Sequence, residues 1–160
     1  SIKEIISNNP GVKIITNSSV GRLLSVLGIN HQILEGNYTE EVIGVQVEAF
    51  DGKHEEIFEE YGLVQNTGYF IAGKLFYPGD AYIDPGKEVE VLALPVAGPW
   101  CKSVDAISYA VRINPKKAFP VHDWLLSTDG VEVTYGIFEK LLKAKNIEFL
   151  RLGNNESKEF

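Results

Sequence analysis

The chain has 160 residues, 44% hydrophobic and 23% charged, enough for one globular domain with a real core. Its 15 Lys and Arg against 22 Asp and Glu leave a net charge of −7, so the basic stripe needed to grip a nucleic-acid backbone is missing. No apolar run approaches the roughly 18 to 20 residues of a membrane span, and the single cysteine, Cys101, cannot close an internal disulfide, which suits a cytoplasmic setting.

Ile2 to Ile6 is too short, and too charged at Lys3 and Glu4, for a signal peptide; it reads as the start of a short helix closed by Pro10-Gly11. Val12 to Thr16 is a compact β-branched strand. Asn17 or Ser18 caps a helix whose Val20, Leu23, Leu24 and Leu27 share a face, and Gly28 ends it. His31 to Leu34 is a short strand. In the next one, Ile43, Val45, Val47 and Ala49 alternate with Gly44, Gln46, Glu48 and Phe50. Residues 66–79 predict a hairpin around Ala72-Gly73-Lys74, and Val89 to Val96 a strand covered on both faces. Ser103 opens a helix to about Ile113, with Val104, Ile107 and Val111 on one side. Lys117 to Val121 is a strand. A last helix starts at Thr128 or Asp129, with Val131, Tyr135, Phe138 and Leu142 on one face; Ile147 to Leu150 follows as a strand. The sum is a mixed α/β layered protein of about seven strands and four helices, one domain over residues 1–152, then a polar, frayed tail over 153–160.

Three residues follow strand ends: His54 after the alternating strand, Asp80 after the hairpin, and His122 after Lys117 to Val121. Loops at strand ends are where rigid sheets present catalytic groups, and two imidazoles with one carboxylate make a workable metal site. Spacing alone leaves a second reading open, in which all three are ordinary turn residues. Other candidates read as structural: Cys101 has no histidine near it in sequence, Glu55-Glu56 and Glu59-Glu60 form a solvated helical turn, and His31 lies between elements. Asp84, Asp123, Trp100 and Trp124 border the candidate site. The stretch Gly68 to Leu75 nearly spells a phosphate-binding loop, but Leu75 replaces the required Ser or Thr and the context is a hairpin.

Four segments in order carry a resemblance. Val47 to His54, Gly68 to Asp80 with its Pro78-Gly79-Asp80, Val91 to Gly98, and Asp105-Ala106 with Asn114 to His122 resemble the C-terminal half of metallo-β-lactamase-fold hydrolases, the nearest branch being the ascorbate-phosphate-lactonase-like group. That resemblance implies half of an αββα sandwich. It implies His54 as a ligand of one metal, His122 of a second, and Asp80 as a bridge between them. A divalent metal, zinc or manganese, would lower the pKa of a shared water for attack on a small-molecule carbonyl or phosphoryl substrate. The family's His-x-His-x-Asp-His signature, which supplies most ligands, does not occur in this sequence. The expectation is therefore an incomplete metal site, with the metal weakly held or missing and the chain alone inactive. The alternative is a non-catalytic module acting in assembly. A sheet bearing Ile43, Val45, Val47, Phe70, Val91 and Leu94 needs an apolar partner layer, so a missing N-terminal half or a homodimer partner is expected to cover it.

Overall fold

In the computed structural model, which describes residues 2–61, 64–152 and 156–159, local sequence chemistry accounts for most element boundaries. The helices are α1 (Ile2–Asn8), α2 (Ser18–Val26), α3 (Ser103–Ile113) and α4 (Thr128–Lys143). Asn17 Oδ1 accepts the Val20 N–H at 3.0 Å to start α2, and Ser127 Oγ accepts the Gly130 N–H at 3.1 Å to start α4. Caps of this kind are worth about 1 kcal/mol each. Ser103 is the first residue of α3 and not its cap; Lys102 stands there without a side-chain bond, and Asn114 closes the helix in the left-handed region at φ 52.

The strands are β1 (Ile15–Thr16), β2 (Gln32–Ile33), β3 (Thr39–Val42), β4 (Val45–Lys53), β5 (Gln65–Ile71), β6 (Leu75–Tyr77), β7 (Val91–Pro95), β8 (Lys117–Val121) and β9 (Glu148–Phe149). Seven of them form one mixed sheet in the order β3-β4-β5-β6-β7-β8-β9, while β1 and β2 pair in parallel. Ile43, expected within a strand, instead turns the β3–β4 hairpin with Gly44 at φ 49 and 81. Two positive φ values in a two-residue loop match the twist of antiparallel strands. Ile43 is 77% exposed there. The segment 55–61 is likewise a turn, with an isolated bridge between Phe58 and Tyr61, and not a helical turn.

One face of the sheet packs on α3 and α4. Phe76 of β6, Leu92 and Leu94 of β7 and Ala118 of β8 meet Ala106, Tyr109 and Ala110 of α3 and Phe138 and Leu142 of α4 in one core cluster. Alternation sends Val91 and Ala93 to the opposite face. On that face the Tyr69 hydroxyl donates to the Leu34 carbonyl at 3.1 Å, so the segment bearing β1, α2 and β2 is anchored over β5. The expected apolar faces of two helices are only partly used. Leu24 is buried with Gly21, but Leu23 and Leu27 of the same turn series lie open, as does Val104 at the start of α3.

Strand direction positions the site. β4 and β5 are antiparallel, as are β5 and β6, so β4 and β6 run the same way; β7 and β8 run parallel to β6. The C-terminal ends of β4, β6, β7 and β8 therefore share one edge of the sheet. Ligands of open α/β sheets bind outside such ends.

Candidate metal centre

His54 directly follows β4, Asp80 lies three residues beyond β6, and His122 directly follows β8. The structure brings all three together. His54 Nε2 is 3.4 Å from Asp80 Oδ2, and His122 Nε2 is 3.0 Å from Asp80 Oδ1. The carboxylate thus lies between two imidazoles, one oxygen to each. The main chain reinforces the pairing: the Glu55 N–H donates to the Asp80 carbonyl at 2.9 Å. Among the described residues, no group of three or more His, Cys, Asp or Glu side chains is placed to hold a metal ion.

The loop carrying Asp80 is built on Asn66, a buried residue of β5. Asn66 Oδ1 accepts the Asp80 N–H at 2.8 Å and its Nδ2 donates to the Pro78 carbonyl at 2.8 Å. Gly79 between them has φ +73, and a Cβ there would lie 2.2 Å from Asn66 Oδ1. Only glycine suits this position, for its backbone angle and for its lack of bulk. His122 itself takes φ 68, a left-handed conformation that costs energy outside glycine and that collects at functional positions.

Trp100 fills the space behind the two imidazoles. It is 8% exposed, and its ring meets His54 at 5.9 Å, His122 at 5.6 Å and Tyr82 at 5.6 Å between centroids, all edge to face. Such aromatic contacts add about 0.5–1.5 kcal/mol each beyond burial. Gly98, at φ +147, lets the chain pass beneath; a Cβ there would come within 3.3 Å of Trp100 Nε1 and 3.4 Å of His122 Nδ1.

The remaining candidates sort by contact. Cys101 Sγ accepts from the Tyr82 hydroxyl at 3.3 Å, and burial pushes its thiol upward, away from the thiolate a nucleophile needs. His31 Nδ1 lies 2.9 Å from the Ile29 carbonyl, with its ring against Gly21 of α2. Asp84 accepts the Gly86 N–H at 2.8 Å in a local turn. Asp123 accepts from the Tyr135 hydroxyl at 2.5 Å; it lines an open cavity of about 750 Å³ with Trp124, Leu126, Val131 and Arg151. The sequence reading missed Asn66, whose place at the head of β5 carried no chemical signal, and it left the role of Trp100 open.

His54 and Asp80 together offer two donors of the kind a divalent cation takes. His54 Nδ1 lies 2.6 Å from the Glu55 carbonyl, an acceptor that only an N–H can meet, so in the neutral ring Nε2 carries the lone pair. That lone pair and a carboxylate oxygen face each other at 3.4 Å. Two ligands about 2.0–2.2 Å from one tetrahedral zinc-type ion stand at about this separation.

A mixed α/β sheet with imidazoles and a carboxylate gathered at its C-terminal edge defines a metallohydrolase-like fold. A family description, "Beta-lactamase superfamily domain", matches residues 6–122, well over half of the chain, and the chain belongs to that superfamily. The metallo-β-lactamase fold is shared with Igni18, a metallo hydrolase from the hyperthermophilic archaeon Ignicoccus hospitalis (TM-score 0.69, 14% identity, covering 97% of this chain and 71% of that one). It is shared also with a possible metal-dependent hydrolase from Veillonella parvula (TM-score 0.61, 15% identity, 91% and 65% covered). Protein Rv0786c of Mycobacterium tuberculosis is 35% identical over 95 residues, covering 56% of this chain and 45% of that protein. The match therefore spans less than half of the curated relative's length.

Proposed function

We propose that this chain supplies part of the active centre of a metal-dependent hydrolase, with His54, Asp80 and His122 as ligands of a divalent metal, zinc or manganese. The observation that carries the reading is the Asp80 carboxylate held between two imidazole Nε2 atoms at 3.4 and 3.0 Å, at the sheet edge where strand ends converge. When bound, a divalent cation in such a site polarises a carbonyl or phosphoryl oxygen and lowers the pKa of water.

The chain's own residues set up that chemistry. Asp80 brings the anionic charge that offsets cations, held in place by Asn66 and the Gly79 turn. His54 directs a lone pair at the same point because the Glu55 carbonyl holds its other nitrogen. Trp100, 8% exposed, packs edge to face against both rings and limits how far they can turn. The substrate is a small molecule with a carbonyl or phosphoryl centre, and the scaffold alone does not select among phosphoesters, lactones and amides.

Zinc and manganese should bind stoichiometrically to the full-length protein, and Asp80→Asn should abolish both binding and hydrolysis of a panel of those three substrate classes. Less than a tenth of an equivalent of metal in the wild type would end this reading.

A further inference from the structure

Helix α4 carries three different faces. Tyr135, Phe138 and Leu142 turn into the core. On one flank Arg151, just beyond β9, clamps Glu132 at 2.8 Å and Glu139 at 2.9 Å. The third face is apolar and open: Val133, Ile137 and Leu141 are 64%, 44% and 43% exposed. They recur every four residues, so at about 100° per residue they fill one arc of about 80°. No charged residue of the helix falls inside that arc, although the outward side of a surface helix ordinarily carries the charge.

Charge singles out what fits this face. Besides the two glutamates held by Arg151, the charges of α4 are Asp129 in the first turn and Lys140 and Lys143 in the last, all exposed. A second α4 laid antiparallel sets an acidic first turn against a basic last turn at both ends, with the two helix dipoles opposed. With Ile137 on the two-fold axis, Val133 of each copy stands opposite Leu141 of the other, because both lie four residues from it. A parallel pair would set like charges together. The other open helical face, with Leu23, Val26 and the adjoining Leu27, has no such complement: Arg22 is the only charge on the nine-residue α2, so a second copy would bring like against like.

We propose that α4 is the interface of a two-fold homodimer, with Val133, Ile137 and Leu141 at its centre and Asp129 facing the basic last turn of the second copy. The helix has 16 residues and spans about 24 Å, so one helix pair lies at the small end of specific interfaces. Its dissociation constant is then on the order of micromolar to tens of micromolar.

Sedimentation equilibrium on the protein at up to about 200 µM should show twice the monomer mass. Ile137→Glu, which sets two carboxylates together on the axis, should weaken association at least about a hundredfold, with the urea midpoint unchanged. Leu23→Glu on α2 should leave the dimer intact. A charge exchange tests the direction of pairing: Asp129→Lys and the double variant Lys140→Glu/Lys143→Glu should each dimerise more weakly than wild type, and an equal mixture of the two should restore association. A wild type that stays monomeric throughout, whatever else the face takes up, overturns the proposal. So does a dimer that survives Ile137→Glu but is lost with Leu23→Glu, or a mixture of the charge variants that associates no better than either alone.

Discussion

Gly79→Ala tests how the Asp80 loop is held. At φ +73 an alanine is strained by about 1–2 kcal/mol. The larger effect is steric, because the new Cβ would lie 2.2 Å from Asn66 Oδ1, and Asn66 is only 6% exposed and has little room to move. Displacing it breaks its bonds to the Asp80 N–H and the Pro78 carbonyl, both 2.8 Å, each worth about 0.5–1.5 kcal/mol and more if a buried group is stranded. The substitution should therefore cost about 3–5 kcal/mol in urea unfolding. Asn66→Ala alone should cost about 2–3 kcal/mol, and the double variant less than the sum of the two, because the clash disappears with the asparagine. Strict additivity, or a Gly79→Ala cost below about 1 kcal/mol, would refute the account of the turn. Zinc affinity should fall with Gly79→Ala, since the carboxylate moves with its backbone.

Other sites offer tests of opposite sign. Ile43→Asn places the favoured Asn-Gly pair in the β3–β4 turn and removes a β-branched residue from φ 49, so urea unfolding should show a gain of about 1 kcal/mol. Glu35 accepts the Ser18 N–H at 2.7 Å at the start of α2 and a bond from Gln65, which together hold its carboxyl below the ordinary value. A carboxyl lowered in the folded state adds stability that is complete above its unfolded value, about 4.3, and fades as pH falls through the folded value. The difference between wild type and Glu35→Gln should thus shrink in acid; a difference that grows would contradict it. Trp124→Phe leaves Trp100 as the sole tryptophan, and Co²⁺ should quench its emission because its ring meets both imidazoles, at 5.9 and 5.6 Å. An unquenched Trp100 with Co²⁺ bound would place the ion elsewhere.

The order of elements was legible because hydrophobic period and caps agreed along most of the chain. The run Val91 to Pro95 is buried at every position, as a strand covered on both faces must be. Ile43 shows where local preference misleads. A β-branched residue in phase with Val45 and Val47 reads as strand, and only pairing of Thr39–Val42 against Val45–Glu48 forces it into the turn. The exposed Leu23 and Leu27 show a second limit: periodicity marks a face that could be buried, without saying what covers it.

The site was legible for a different reason. His54, Asp80 and His122 lie far apart in sequence, yet each follows a strand that runs the same way, and strand direction follows from pairing. One antiparallel strand between β4 and β6, and direct parallel contacts from β6 through β8, send all three to one edge whatever the side chains are. What the sequence could not carry is the last few ångströms. They depend on Asn66 gripping a turn thirteen residues downstream, on left-handed φ at Gly79 and His122, and on an indole behind both imidazoles. Each is a long-range fit with no local signature. Topology therefore selects which residues can meet, and these few contacts decide that they meet through Asp80, one carboxylate oxygen to each imidazole.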